Sequence, residues 1–507
     1  MPTPKPSIDA NACYRALCAH DARFDGQFFT AVTSTGIYCR PVCRVRTPRF
    51  ENCRFFEHAA QAEQAGFRPC LRCRPELAPL ERHWSSEDAG AILVQQALQW
   101  LNDPQSWANA EESGKAIDRL ARRLGVSDRH LRRLFDAHLG LSPLQYLLTR
   151  KLLTAKQLLS DTGLPMSQVA LASGFASQRR FNAAFLAHYR LQPSRMRMQP
   201  GAERGGPKPD HKPVMLSWRP PLDAVALMRF FALRQITGLE WVELSSEPIL
   251  RRTLQVEVAD RVYAGWFSVR MLGQEHRAAL HVSDGLQPVL PLIVARVRTM
   301  LDLNADPSAI NNILNAAFPQ GDGLRVPGCM DGFELATRAI LGQQISVPAA
   351  RTLAQRLVTQ LGAPIETPHP ELNRLFPSPA ALASTAADTL GAIGIVKQRQ
   401  KALQALARAV MDREVDLSPH ADPQSTIEKL QLLPGIGPWT AQYIAMRALH
   451  WPDAWPVGDV ALTKALGMAN HRSKEAQRQA EALSMAWRPW RSYAVIRAWS
   501  SVQPPRH

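Results

Sequence analysis

The chain of 507 residues has no apolar run long enough to cross a membrane, and its opening, MPTPKPSIDA, lacks the charged-then-apolar layout of a secretory signal. The expectation is a cytoplasmic protein with no membrane partner. Acids are scarce, 44 Asp and Glu against 60 Lys and Arg, and there are only eight cysteines. The 46% hydrophobic and 21% charged shares are those of ordinary folded domains, which excludes wholesale disorder. At this length a single hydrophobic core is excluded as well, and three or four domains are expected.

The net positive charge sits in two places. Eight arginines face three acids between Cys39 and Arg74, and fifteen Lys/Arg face four Asp between Lys115 and Gln199; these windows, net +5 and +11, account for the whole +16. Charge this concentrated suits a phosphate backbone, where counterion release supplies affinity, so double-stranded DNA is the expected partner.

The composition divides the chain into segments. Residues 8–82 are rich in Cys and Arg with little helical period. Residues 87–200 are helical and basic. Residues 201–213, within QPGAERGGPKPDHKP, read as a flexible linker. Residues 214–300 carry strand-like runs such as LQVEV and YAGWFSV, and 301–507 are mostly helical again. One repeat stands out: LARRLGVSDRHLRRLF (120–135) recurs as VALASGFASQRRFNAAF (169–185), each followed by a proline, Pro143 and Pro193.

Cys39-x3-Cys43 and Cys70-x2-Cys73 form two close pairs. Two such pairs can supply four thiolates to one tetrahedral Zn²⁺, and without a secretory context this spacing favours a metal over disulfides. Cys13, Cys18, Cys53 and Cys329 lack such pairing and read as ordinary buried thiols. On spacing alone the site would be a structural zinc. Its surroundings, TGIYCRPVCR and GFRPCLRCRP, resemble the amino-terminal domain of Ada-type methylphosphotriester repair proteins. The resemblance implies that Cys39 stoichiometrically accepts a methyl group from a DNA phosphotriester, with Cys43, Cys70 and Cys73 as the other ligands. Four thiolates on one Zn²⁺ carry a formal −2 charge, so methylating one weakens repulsion from DNA and turns repair into a signal.

In each repeat a short helix runs to a glycine, Gly125 or Gly174, and a serine, Ser127 or Ser177, opens a second helix. Leu131, Leu134 and Phe135 are expected inside. Arg129, Arg132 and Arg133 are expected to face a major groove, as are Gln178, Arg179 and Asn182 in the second unit. The segment is similar to the double helix-turn-helix domain of AraC-type regulators. That implies a sequence-specific activator, with RNA polymerase as a partner and a monomer as the expected state.

The Pro-Cys-His-Arg signature of a guanine-O6 methyltransferase is absent. LPGIGPWTA (433–441) reads instead as a helix-hairpin-helix, with Gly435 and Gly437 permitting a tight turn and close approach to a phosphate. Asp459 follows in WPVGDVALTKAL. From Val214 onward the chain resembles AlkA-like 3-methyladenine DNA glycosylases, through LSWRPPLD, RVPGCMDGFELATRAILGQQISV, LPGIGPWTAQY and WRPWRSYAVIRAW. The implied fold is multidomain and mainly α with α+β parts: a small four-cysteine zinc domain, an all-α double helix-turn-helix domain, and a glycosylase with a TBP-like α/β subdomain and helical subdomains.

The implied activity is hydrolysis of the N-glycosidic bond of an alkylated purine flipped out of the duplex. Asp459 is the catalytic carboxylate in that comparison, although capping a helix is the plainer role for a single Asp. Phe230, Trp439, Tyr443 and Trp499 fall at aromatic pocket positions, where a cationic base gains about 1 kcal/mol or more per face. Gln344 stands where some relatives insert a leucine wedge. Trp439 replaces the Schiff-base lysine of bifunctional relatives, which points to simple hydrolysis, and no carboxy-terminal four-cysteine iron–sulfur motif is present. The glycosylase reaction therefore needs no cofactor. The competing reading is a transcriptional regulator whose glycosylase-like half is catalytically idle and only binds damage.

Overall fold

A computed structural model describes residues 9–79, 89–107, 113–197, 213–258, 261–468, 470 and 472–502. Most of the linker stretch lies outside the described residues.

The amino-terminal module is built on a small sheet of β1 (Phe29–Val32), β2 (Ile37–Cys39), β3 (Cys53–Phe56) and β4 (Arg68–Pro69), in the order β3-β1-β2-β4. β2 and β4 run parallel, Ile37 opposite Arg68 and Tyr38 opposite Pro69. That pairing places Cys39, the last residue of β2, beside Cys70, the first residue after β4. The module is not free of helix: Ala10–Cys18 and Ala59–Gln64 are helical, the first capped by Asp9 and the second by a box between His58 and Gln61.

Each helix-turn-helix unit forms where its repeat lies. Helices Ser113–Arg123 and Asp128–Leu139 make the first, and Met166–Ala172 and Gln178–Tyr189 the second. Ser127 and Ser177 accept hydrogen bonds from the backbone N–H of His130 and Arg180, satisfying donors a helix start leaves open. Helix Pro143–Asp161 joins the two units, and its stretch from Lys151 to Leu159 is buried throughout. Leu131, Phe135, Phe181 and Phe185 are completely buried, while Leu134 is only half-buried.

A second sheet follows, β5 (Val214–Ser217), β6 (Glu240–Glu243), β7 (Ile249–Val258), β8 (Arg261–Leu272) and β9 (Arg277–Val282), antiparallel throughout in the order β5-β9-β8-β7-β6. The helical remainder packs around a separate core that includes Ile340, Leu403, Ile444 and Val495. Buried ion pairs fasten sheet to helices. Arg252 on β7 and Arg338 on helix Gly332–Leu341 both donate to Glu240 on β6, at 2.9 and 2.7 Å.

The units are not strung out on a linker. One continuous apolar cluster contains Leu77 of the cysteine module, Leu152, Phe181 and Phe185 of the helix-turn-helix region, and Val214, Phe267, Val269 and Met300 of the sheet region. Polar bolts accompany it. Lys156 pairs with Glu76 at 2.5 Å, both essentially buried, Arg74 holds Asp161, and His188 holds Glu63. Arg123 reaches Asp416 at 3.0 Å, and His420 reaches Asp103 at 3.0 Å, which ties the first helix-turn-helix unit and the segment just before it to the loop that leads into helix Pro423–Leu432.

Candidate functional sites

The four sulfurs of Cys39, Cys43, Cys70 and Cys73 lie within 4.8 Å of one another, three of the residues buried and Cys73 half-buried. Four Zn–S bonds of about 2.3 Å separate tetrahedral sulfurs by about 3.8 Å, so the cluster is of the right size. Thiols this crowded hydrogen-bond one another. Cys43, Cys70 and Cys73 together push Cys39 far up, while Cys39, Cys43 and Cys73 hold Cys70 far down. They ionise together only around a cation, which is what a thiophilic divalent metal supplies. Arg40 braces the site: its backbone N–H donates to Cys73 Sγ at 3.3 Å and its Nη1 to the Cys73 carbonyl at 3.0 Å.

In the first recognition helix Arg129, Arg132 and Arg133 are all exposed, Arg132 resting on Asp128 at 2.7 Å. In the second, Gln178 and Arg179 are exposed and Asn182 is half-buried. Arg180, not singled out from sequence, is exposed beside them. Both turn glycines have positive φ, 67° at Gly125 and 79° at Gly174. The Gly174 carbonyl accepts a hydrogen bond from buried Lys151 at 2.6 Å, and burial pulls that ammonium down to about 8.

In the hairpin between helices Pro423–Leu432 and Pro438–Arg447 the two glycines differ. Gly435 has φ +79° and a β-carbon there would meet Ala402 at 3.2 Å, so the turn needs it. Gly437 is extended, and a β-carbon there would meet nothing within 4 Å. The turn does not require Gly437; its bareness leaves the backbone open to close approach from outside. Gln344 is exposed with φ +55°, on the turn between helices Gly332–Leu341 and Val347–Leu361. Its neighbour Gln343, which the sequence did not flag, donates to the Gly435 carbonyl at 2.8 Å and to Thr440 Oγ1 at 3.0 Å, tying that turn to the hairpin.

Asp459 is both a helix cap and something more. Oδ1 accepts from the Leu462 N–H at 2.8 Å, capping helix Val460–Ala465, and from Trp499 Nε1 at 3.3 Å; Oδ2 accepts from Trp439 Nε1 at 2.9 Å. The residue is 9% exposed. Three N–H groups from three helices thus converge on one acceptor-only group. Trp439 and Tyr443 lie stacked, centroids 5.1 Å apart and planes 10° from parallel, with Trp499 6.3 Å from Tyr443. Phe230 differs from these. Its ring is covered by the guanidinium of Arg234 at 3.7 Å and that of Arg447 at 4.7 Å. Arg447 also donates to the Tyr443 hydroxyl at 2.7 Å. Burial pushes the Tyr443 phenol up, but the charges of Arg447 and Arg234 outweigh it and hold the group below its ordinary range.

Comparison with known proteins places each of these sites in a recognised module. Residues 12–76 match the metal binding domain of Ada and 120–199 a helix-turn-helix domain. Residues 213–331 match the AlkA N-terminal domain and 337–491 the HhH-GPD superfamily base excision DNA repair protein family. DNA is therefore the partner, and the four cysteines are a zinc site whose donor set fits the metal. The DNA-3-methyladenine glycosylase 2 of Escherichia coli is 32% identical over 285 residues, covering 56% of this chain and 95% of that protein. The bifunctional transcriptional activator/DNA repair enzyme Ada of Escherichia coli is 36% identical over 130 residues, covering 26% of this chain and 33% of that one. A probable bifunctional transcriptional activator/DNA repair enzyme AlkA from Mycobacterium tuberculosis is 35% identical over 506 residues, covering 98% of this chain and 97% of its own length. With similarity sustained from the cysteine module through the hairpin and its aspartate, the chain belongs to the family of bifunctional transcriptional activator/DNA repair proteins of this AlkA type.

Proposed function

We propose that the chain is a bifunctional alkylation-response protein. Its carboxy-terminal half hydrolyses the N-glycosidic bond of 3-methyladenine-type purines in duplex DNA. Its amino-terminal half takes a methyl group from a phosphotriester onto Cys39 and regulates transcription through the helix-turn-helix pair. The observation that carries the first activity is Asp459 held by two indole N–H groups and a helix start beside stacked Trp439 and Tyr443.

The chemistry follows from that geometry. A buried base cannot be reached inside the stack, so the nucleotide turns out of the duplex, with Gly435 and Gly437 against the backbone and Gln344 at the vacated position. A methylated purine already carries positive charge. It leaves with the electron pair of the glycosidic bond and departs neutral, so no general acid is required. Positive charge then develops on the sugar, and the Asp459 carboxylate stabilises it. Each carboxylate oxygen has two lone pairs; Oδ2 spends one on Trp439 and keeps one for the attacking water, whose proton Asp459 receives. With Trp439 rather than an amine at the hairpin, no Schiff base forms and the strand stays intact. Phe230, under two guanidiniums, acts as a wall of the pocket rather than as an open cation-binding face.

At the other end the Cys39 thiolate attacks the methyl carbon of the phosphotriester. The carbon–oxygen bond breaks, the sulfur becomes a thioether, and the phosphate departs as an ordinary diester anion. Zinc keeps the thiol deprotonated at neutral pH. Two recognition helices in one polypeptide span two groove segments, so a monomer suffices, and recruitment of RNA polymerase in the cytoplasm completes the activator reading. The deciding assay is release of 3-methyladenine from methylated DNA by native protein and by Asp459→Asn; equal release by both would refute the assignment, and none from either would make the half an idle damage binder. For the sensor, mass spectrometry after exposure to methylphosphotriester DNA should find one methyl on Cys39, and an unmodified Cys39 would leave the zinc purely structural.

A further inference from the structure

The sensor meets the glycosylase half through buried polar groups. Arg219, which follows β5 and is completely buried, donates from Nε to the Asp25 carbonyl at 2.9 Å. Its Nη1 donates to the carbonyls of Asn304 and Ala305 at 2.9 and 3.2 Å. Asp25 turns its carboxylate the other way, onto Arg40, taking Nε at 2.7 Å and a second guanidinium nitrogen. Arg40 directly follows Cys39 and binds both the sulfur and the carbonyl of Cys73. An unbroken relay thus runs from the glycosylase wall to one cysteine of each pair.

The seam has little play. Arg298 donates to the Leu77 carbonyl at 3.4 Å, and Gln27 donates to Asp306 at 3.0 Å. Gly26 packs so tightly that a β-carbon would fall 1.8 Å from the Pro79 carbonyl oxygen, so the turn carrying Asp25 cannot slide across that segment. Asp25 and Arg40 are themselves buried, 1% and 4% exposed. A buried pair of this kind holds only while both partners are fixed in place. Arg219 is what fixes the Asp25 backbone from outside the module.

We propose that Arg219 is a positioning residue lent by the glycosylase half to the sensor: through Asp25 and Arg40 it keeps the two cysteine pairs in register, so that metal retention and the reactivity of Cys39 depend on it. Groups that orient metal ligands typically change affinity by about 10- to 100-fold when removed. Arg219 stands two residues further out than Arg40, beyond Asp25, which puts its effect at the lower end of that range. The zinc part of the proposal is independent of any methyl transfer; the Cys39 part rests on the methyl-acceptor reading given above.

The test is zinc release from the full-length protein into excess chelator, followed with a metal-sensitive dye, together with the rate at which Cys39 is labelled by iodoacetamide. Arg219→Met should release zinc about tenfold faster than native protein and label Cys39 faster, with Arg219→Lys, which keeps a charged donor group but loses the planar fork, in between. Release of 3-methyladenine should stay within about twofold in both, which shows that the fold survives and that the effect is confined to the sensor. Zinc release from Arg219→Met within about twofold of native would overturn the proposal. If that variant does not fold, Arg219→Lys and Gln27→Ala decide: acceleration of about threefold or more in the lysine variant supports the relay, and native rates in both exclude it. If native protein gains no methyl group from methylphosphotriester DNA, the acceptor reading fails by itself, and the zinc comparison still decides the positioning role.

Discussion

The two chemical ends of this molecule handle charge in opposite ways. At Cys39, Cys43, Cys70 and Cys73, groups of one sign are forced together within 4.8 Å, and only a cation makes the arrangement stable. At Asp459 a single carboxylate stands alone, and neutral N–H dipoles from Trp439, Trp499 and Leu462 hold it. The first site is local: two short cysteine pairs brought together by the parallel pairing of β2 and β4. The second is assembled where three helices, Pro438–Arg447, Val460–Ala465 and Arg491–Val502, converge. The cysteine pairs announce themselves in sequence, because their spacing favours a metal over the one other common use of paired cysteines, a disulfide. A lone charge does not, because its partners are ordinary residues from elsewhere.

That contrast can be broken or sharpened experimentally. The largest effect belongs to Cys39→Ser, which should abolish methyl uptake completely and lower zinc affinity, measured by mass spectrometry and chelator competition, while base excision continues. Retained methyl uptake would move the acceptor to another cysteine. Next, Asp459→Asn should cut 3-methyladenine release by about 100- to 1000-fold, the cost of losing one transition-state charge partner. Asn caps helices as well as Asp does, so its melting temperature should stay near native, which separates charge from fold. Trp439→Phe keeps an aromatic face, smaller than the indole, and deletes one N–H donor to the carboxylate. Excision should fall about tenfold, as expected for a hydrogen bond to a charged group, with little change in substrate KM. An unchanged rate would mean that the indoles only pack.

The smallest effect is pH-dependent and concerns the seam between sensor and helix-turn-helix region. Burial pulls His188 down, but its hydrogen bond to Glu63 outweighs this and raises it above the ordinary 6.5. A raised imidazole contributes stability that is fully present below the unfolded value and lost as pH rises through the folded one. The urea midpoint should therefore fall as pH is raised from about 6.5. His188→Gln should flatten that slope, and a slope unaltered by the substitution would assign it elsewhere.

Much of the fold was legible in the sequence. The repeat around Gly125 and Gly174, each with a serine after it, placed both helix-turn-helix units, because glycine is the residue that takes positive φ without strain and serine caps a helix. The runs LQVEV and YAGWFSV lie in β7 and β8. Less legible were the helices Ala10–Cys18 and Ala59–Gln64, which sit in a segment read as having little helical period. Of the four aromatics expected at the pocket, Trp439, Tyr443 and Trp499 gather beside Asp459. The double guanidinium cover on Phe230 had no sequence signal, since Arg234 and Arg447 are two among many arginines. The same holds for Gln343, Arg180 and Arg219: each is an ordinary residue until its neighbour is known.

By itself the sequence determined the modules, the metal-ligand set and the order of hairpin and aspartate, because those features rest on short-range spacing and on residue types with few alternative uses. Tertiary structure alone decided which donors reach Asp459, which of the hairpin glycines the turn requires, and that the sensor, the second helix-turn-helix unit and the sheet share one core. Those outcomes depend on buried contacts between distant segments, where hydrogen bonds and apolar surface are satisfied by whatever the fold brings alongside.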